Sequence, residues 1–101
     1  MEPIEILKAL SNESRLQILQ WLKEPEQHFK PHEGIDMRKI GVCVGQVTGK
    51  LSMTQSTASQ YLTILQRAGL VTSERIGKFT YYKRDEGKIS EALALLKNEL
   101  E

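Results

Sequence analysis

The sequence predicts a mainly α chain with one small β-hairpin, in the order α-α-α-α-β-β-α. Three observations carry this. Apolar residues recur at helical spacing through the first half and again over residues 58–65. The period then changes between Leu70 and Arg84, where two runs of β-forming residues flank Gly77-Lys78. From about Glu86 the pattern is helical again, with Ile89, Leu93, Leu96 and Leu100 at a heptad-like 4-3-4 spacing.

Each element follows from local chemistry. Ile4, Leu7 and Leu10 make one face of a first helix, which Ser11-Asn12 interrupts. Asn12 can accept a backbone N–H bond and cap a second helix. There Leu16, Leu19 and Leu22 share a face, with Ile18 and Trp21 beside it, and Pro25 ends the run. Residues 24–41 are polar and carry Pro25, Pro31, Gly34 and Gly41, so they read as a long loop, either functional or mobile. Val44, Val47 and Leu51 mark a short third helix, weakened by Gly45 and Gly49. Thr54 suits the N-cap of a fourth helix over residues 55–68, and Gly69 suits its C-terminal stop. Leu70 to Ile76 and Phe79 to Arg84 form the hairpin, because a Gly-X pair favours a two-residue turn.

The chain has 101 residues, which allows a single domain, 1–101, with a small core and little room for a deep catalytic pocket. One cysteine excludes an internal disulfide framework. The longest apolar run, Ala92 to Leu96, is far short of the roughly 20 residues that span a bilayer. No secretory signal is read at Met1-Glu2-Pro3, so a cytoplasmic protein without membrane contact is expected.

A net charge of +1 argues at first against a nucleic-acid partner. The charges are unevenly placed, however. From Val44 to Arg84 the basic residues are Lys50, Arg67, Arg75, Lys78, Lys83 and Arg84, against Glu74 alone, so that stretch carries +5 and the remainder −4. Positive potential is therefore concentrated where a phosphate backbone could use it.

The fourth helix is the candidate reading head. Ala58, Tyr61, Leu62 and Leu65 fall on one arc, and Gln55, Ser56, Ser59, Gln60 and Thr63 on the other. That second arc holds amides and hydroxyls and no acid, whereas an ordinary solvated face carries Glu and Lys. Gln pairs bidentately with adenine, and Ser or Thr serves several bases or a phosphate. A helix, a four-residue turn and this second helix give a helix-turn-helix over residues 43–68, and the hairpin over 70–84 becomes its wing. The winged helix-turn-helix would bind double-stranded DNA. Gln55, Ser56, Ser59 and Gln60 are expected to face bases, and Thr54, Thr57, Arg67, Arg75, Lys78 and Thr80 to meet phosphates or the groove rim. The apolar last helix, 86–100, exceeds what a small monomer readily covers. Ile89, Leu93, Leu96 and Leu100 are therefore expected to be covered by a second copy of the chain.

These blocks resemble a known family. The run from Leu7 to Leu19, with Leu10-Ser11-Asn12-Glu13-Ser14-Arg15-Leu16 at its centre, resembles the opening of the ArsR/SmtB-type winged-helix repressors. Leu51 to Leu62 resembles their recognition-helix segment, and Ala68-Gly69-Leu70-Val71, Gly77-Lys78 and Tyr81-Tyr82 resemble their wing. The resemblance implies homodimers that dock their first and last helices together, which adds Ile4 and Leu7 to a dimer interface with Ile89, Leu93, Leu96 and Leu100. Such dimers bind palindromic operators, repress transcription and release DNA on a signal. Three departures stand out. Glu13 stands where many members have proline, Ser52 replaces a frequent turn glycine, and the loop from Glu24 to Gly41 is long.

Many members sense metals through cysteines at the third helix or through acids and histidines on the last. Here Cys43 has no second thiol beside it, and the two histidines, His28 and His32, both lie in the long loop. No metal or cofactor is expected. The alternatives are a metal- or redox-responsive repressor using Cys43 with His28 and His32, or a winged-helix module that binds protein rather than DNA. No nucleophile–histidine–acid set or phosphate-cradling glycine motif can be assembled, so no catalytic residue is expected.

Overall fold

A computed structural model describes residues 2–101. Helix α1 (Pro3–Leu10) opens on a proline, at a position where the missing N–H has no helical partner to lose. Helix α2 (Glu13–Lys23) starts as expected, with Asn12 Oδ1 accepting the Arg15 N–H at 2.9 Å. It buries Ile18, Leu19 and Leu22. Leu16, expected on that face, is 42% exposed. At about 100° per residue it lies some 160° from Ile18, outside the buried arc.

The long segment over residues 24–41 is not a free loop. A single 3-10 turn (Pro25–Gln27) buries Pro25, and Met37 reaches the hydrophobic core. Phe29 packs on the core and meets Trp21 edge-on at 6.1 Å. The segment ends in a strand that the sequence reading does not contain. Strand β1 (Val42–Cys43) pairs antiparallel with Tyr82 and Tyr81, so the hairpin becomes a three-stranded sheet of order β1-β3-β2. Gly41 makes this possible. Its φ is +113°, and a Cβ there would lie 2.2 Å from the carbonyl oxygen of Tyr82.

Helix α3 (Val44–Leu51) and helix α4 (Gln55–Arg67) follow directly. The turn between them has three residues rather than four, Ser52 to Thr54. Ser52 takes the left-handed conformation, φ +52° and ψ +41°, the one non-glycine with positive φ among the described residues. The frequent turn glycine it replaces would adopt that geometry without Cβ strain. Strands β2 (Val71–Ile76) and β3 (Phe79–Arg84) form the wing, with Ile76 opposite Phe79. Gly77 has φ +61° and Lys78 does not, which is the type II′ pattern.

Ile6, Ile18, Leu62, Leu65, Val42, Val47 and Val71 are the large side chains most completely enclosed in the core. Tyr81 and Tyr82 are both buried although they alternate across β3, so both faces of the sheet are covered there. Tyr82 belongs to the core. Tyr81 lies under the long loop, where its hydroxyl meets His32 Nδ1 at 2.9 Å.

Helix α5 (Glu86–Leu100) starts at Asp85, whose Oδ1 accepts the Lys88 N–H. Its apolar residues divide. Ala92 is buried, and Ile89, Leu95 and Leu96 pack partly on the chain's own core, so Ile89 and Leu96 do not belong wholly to a dimer surface. Leu93 and Leu100 are 60% and 80% exposed. Ile4 and Leu7 of α1, which packs against α5, are exposed as well.

Candidate nucleic-acid interface

Two caps fix helix α4. Thr54 Oγ1 accepts the Thr57 N–H at 3.1 Å and donates to Thr57 Oγ1 at 2.9 Å. Thr54 is thus committed to the first turn, while the Thr57 hydroxyl keeps its own proton for an outside acceptor. At the other end Gly69 takes φ +78°, its N–H reaches Gln66 O, and the Leu70 N–H reaches Leu65 O. That Schellman pair redirects the chain into the wing.

Ala58, Leu62 and Leu65 anchor the helix in the core. The opposite side forms an open trough lined by Gln55, Ser56, Ser59, Gln60, Thr63, Ile64 and Arg67. Gln55, Ser56 and Gln60 are exposed, and Ser59 is half-buried. The Thr63 hydroxyl donates back to Ser59 O at 2.9 Å, so it is spent on the helix. No carboxylate lines the trough.

The wing faces the N-terminal half of α4. Gln55 and Ser59 line the same concavity as Arg75, Lys78 and Thr80, with Cys43, Gly45 and Phe79 also in its wall. Arg75 donates its Nε–H to Gly77 O at 3.0 Å, which holds the guanidinium at the hairpin tip. Lys78 lies 6.0 Å from the Phe79 ring centroid. Gln66 Nε2 donates to Ser73 Oγ at 3.0 Å and ties α4 to the wing. The sequence reading missed Gln66, although it lies seven residues after Ser59 and therefore on nearly the same face. It also missed Phe79, which is 42% exposed on the wing.

The other sequence candidates are less uniformly placed. Arg67 sits at the C-terminal end of α4, beside α1 rather than beside the wing. Arg84 is paired with Glu86 and donates to Leu19 O, and Lys83 donates to Lys39 O. Those two charges belong to the base of the wing. The structure brings His32 Nε2 to 3.7 Å from Cys43 Sγ, and leaves His28 against the Trp21 ring instead. No cluster of three metal-ligating side chains exists among the described residues, so the His28/His32/Cys43 set is not assembled.

A helix-turn-helix whose second helix presents an amide and hydroxyl face, followed by a wing with basic residues at its tip, defines a winged-helix DNA-binding transcriptional regulator. Comparison with known proteins agrees. Residues 42–73 match the model of the bacterial regulatory protein arsR family. The chain is 74% identical over 100 residues, 99% of this chain and all of the other, to an uncharacterized HTH-type transcriptional regulator, YbzH, of Bacillus subtilis. It is 30% identical to the transcriptional activator HlyU of Vibrio cholerae, covering 92% of this chain and 72% of that one. Among solved structures, the homodimeric winged helix-turn-helix domain of a possible ArsR-family regulator from Mycobacterium bovis superposes with a TM-score of 0.64 at 28% identity, covering 91% of this chain and 72% of the other. The chain belongs to the ArsR family of transcriptional regulators. No helix among the described residues is long and apolar enough to cross a membrane.

Proposed function

We propose that the chain is a homodimeric repressor that binds a palindromic operator, reading bases with α4 and gripping phosphates with the wing. One observation carries this: Gln55 and Ser59 share a concavity with Arg75, Lys78 and Thr80. Groups that can read base edges thus adjoin groups that neutralise phosphates. In this reading residues 43–68 and 70–84 form the DNA-binding unit, and 86–100 docks on a partner copy. Gln55, Ser56, Ser59 and Gln60 contact bases; Thr57, Arg67, Arg75, Lys78 and Thr80 contact backbone or groove rim; Thr54 holds the first turn.

The exposed apolar residues Ile4, Leu7, Leu93 and Leu100 support dimerisation, with the outer edges of Ile89 and Leu96 completing the stripe. Two copies related by a two-fold axis would present two reading helices, hence a two-fold symmetric site. Repression follows from occlusion, the simplest consequence of covering DNA. HlyU carries the opposite sign in its name, so a promoter–reporter assay decides the sign: repression predicts that deleting the regulator raises output.

The direct test is the salt dependence of duplex affinity. Arg75→Gln and Lys78→Gln each remove one phosphate contact and should flatten the slope of log K against log salt by about 0.9. Unchanged slopes would refute the placement of the wing.

One observation favours a redox-responsive version of this regulator. His32 Nε2 lies 3.7 Å from Cys43 Sγ, and Cys43, otherwise buried, borders the concavity that α4 shares with the wing, so an oxidant must reach it from there. A peroxide would be reduced to water as its O–O bond breaks and the sulfur, losing two electrons, gains a hydroxyl as sulfenic acid. Peroxide should then weaken duplex binding by the native chain and leave Cys43→Ser unaffected; an equal response of both rejects this version.

A further inference from the structure

An open cleft of about 430 Å³ lies between α1 and α4 on the side of α1 away from Leu7 and Leu10, with Arg15 in its wall. It falls within the roughly 300–1,000 Å³ range of small-molecule sites. Ala9 and Ala68 are buried in its wall, and their small side chains leave the space open. Ile64 lines it too, 36% exposed, at the edge the cleft shares with the polar trough of α4.

The rim is basic. Lys8, Arg15 and Arg67 stand against Glu5 alone. Neither Lys8 nor Arg67 has a carboxylate partner among the described residues. Arg15 is fixed in place. Its Nε–H donates to Ala9 O at 2.7 Å and Nη2 to Lys8 O at 3.0 Å, and its guanidinium lies 5.3 Å from the Tyr61 ring centroid. The formal excess is two positive charges. The C-termini of α1 and α4 both end here, and each contributes about half a negative charge, which leaves an excess of about one.

We propose that this cleft is the effector site of the regulator and takes an amphipathic monoanion, a carboxylate with a small apolar body. The apolar body would lie on Ala9, Ile64 and Ala68, and the carboxylate would meet Lys8 and Arg67. An occupant touches the first helix, whose other side carries the proposed dimer contacts, and the C-terminal turn of the reading helix. It can therefore shift the spacing of the two reading helices in a dimer. The regulatory consequence rests on the DNA-binding function proposed above; occupancy of the cleft does not.

Calorimetric titration of the full chain without DNA tests occupancy. The probes are straight-chain monocarboxylates from acetate to dodecanoate together with benzoate, the matching alcohols, and inorganic phosphate. The proposal predicts saturable binding of at least one monocarboxylate, one per chain, and at least about ten-fold weaker binding of its alcohol and of phosphate. Lys8→Gln combined with Arg67→Gln should lose that binding about ten-fold while melting like the native chain. Ile64→Gln, a surface change, should weaken the longer carboxylates more than acetate. Absence of saturable binding across the series, equal binding of alcohol or phosphate, or indifference to the double substitution would each overturn the proposal. Because Arg67 is also assigned a phosphate contact above, the double variant is expected to lose some affinity for every duplex. If it does so while binding every carboxylate like the native chain, the effector site is refuted and the DNA reading stands.

Discussion

Gly34 and Gly41 both hold positive φ, +75° and +113°, yet an added methyl group meets different surroundings at the two. At Gly34 it would meet nothing within 4 Å. At Gly41 it would lie 2.2 Å from Tyr82 O and 2.5 Å from the Tyr82 carbonyl carbon, both backbone atoms that cannot rotate away. Gly34→Ala therefore carries the left-handed cost of about 1–2 kcal/mol, offset by the roughly 0.4–1 kcal/mol gained from a less free unfolded chain, for a net loss near 1 kcal/mol. Gly41→Ala adds a clash that only separating β1 from β3 by about 1 Å relieves, which breaks the short ladder at Val42 and Cys43. A loss of about 3 kcal/mol or more is expected, in the range of substitutions that disrupt buried structure. For a domain of this size that lowers the melting temperature by about 12–24 °C. Thermal melts at one fixed protein concentration measure both variants, since dimerisation makes the midpoint concentration-dependent. If Gly41→Ala melts within a few degrees of Gly34→Ala, β1 does not hold the loop to the wing as described.

Three further outcomes follow from the same geometry. Ser52→Gly removes the strain of a left-handed serine and should leave stability equal or up to about 1 kcal/mol higher, whereas Ser52→Val should lose about 1–2 kcal/mol; urea unfolding measures both. His32→Ala strips the buried Tyr81 hydroxyl of its partner and should cost about 1–3 kcal/mol, but less when combined with Tyr81→Phe, because an apolar pair leaves nothing unsatisfied. Arg84→Gln should leave the salt slope of DNA binding unchanged, because that guanidinium is engaged by Glu86 and Leu19 O, unlike Arg75 and Lys78 at the wing tip.

What the sequence made legible is what local chemistry determines. Asn12, Thr54, Gly69 and Gly77 each act within a few residues of themselves, and each occupies the cap or turn position expected of it. The polar arc of α4 was legible because Ala58, Leu62 and Leu65 leave it no other direction to face. What failed depended on distant partners. Strand β1 is two residues long and exists because Tyr81 and Tyr82, some forty positions later, complete it across Gly41. The docking of the long loop rests on Met37, Phe29 and His32, isolated residues in a polar stretch with no periodicity to reveal them. Leu16 shares the leucine spacing of α2 yet faces outward, because Ile18 rather than Leu16 fixes the buried side. On α5 the 4-3-4 spacing located an apolar stripe, but Ile89 and Leu96 divide it between the chain's own core and the outside. Charge counting had the same limit: the basic stretch from Val44 to Arg84 includes Lys83 and Arg84, which are held at the base of the wing.

The central claim is that the acid-free face of α4 reads base edges in two-fold symmetric DNA. Selection of bound duplexes from a random library, with the native chain beside a Gln55→Ala/Gln60→Ala variant of matched stability, tests it most directly. The account predicts that the native chain enriches an inverted repeat, and that the variant retains binding but loses the preference at defined positions in each half-site. Enrichment of the same sequence by both proteins, or of none by the native chain, would contradict it.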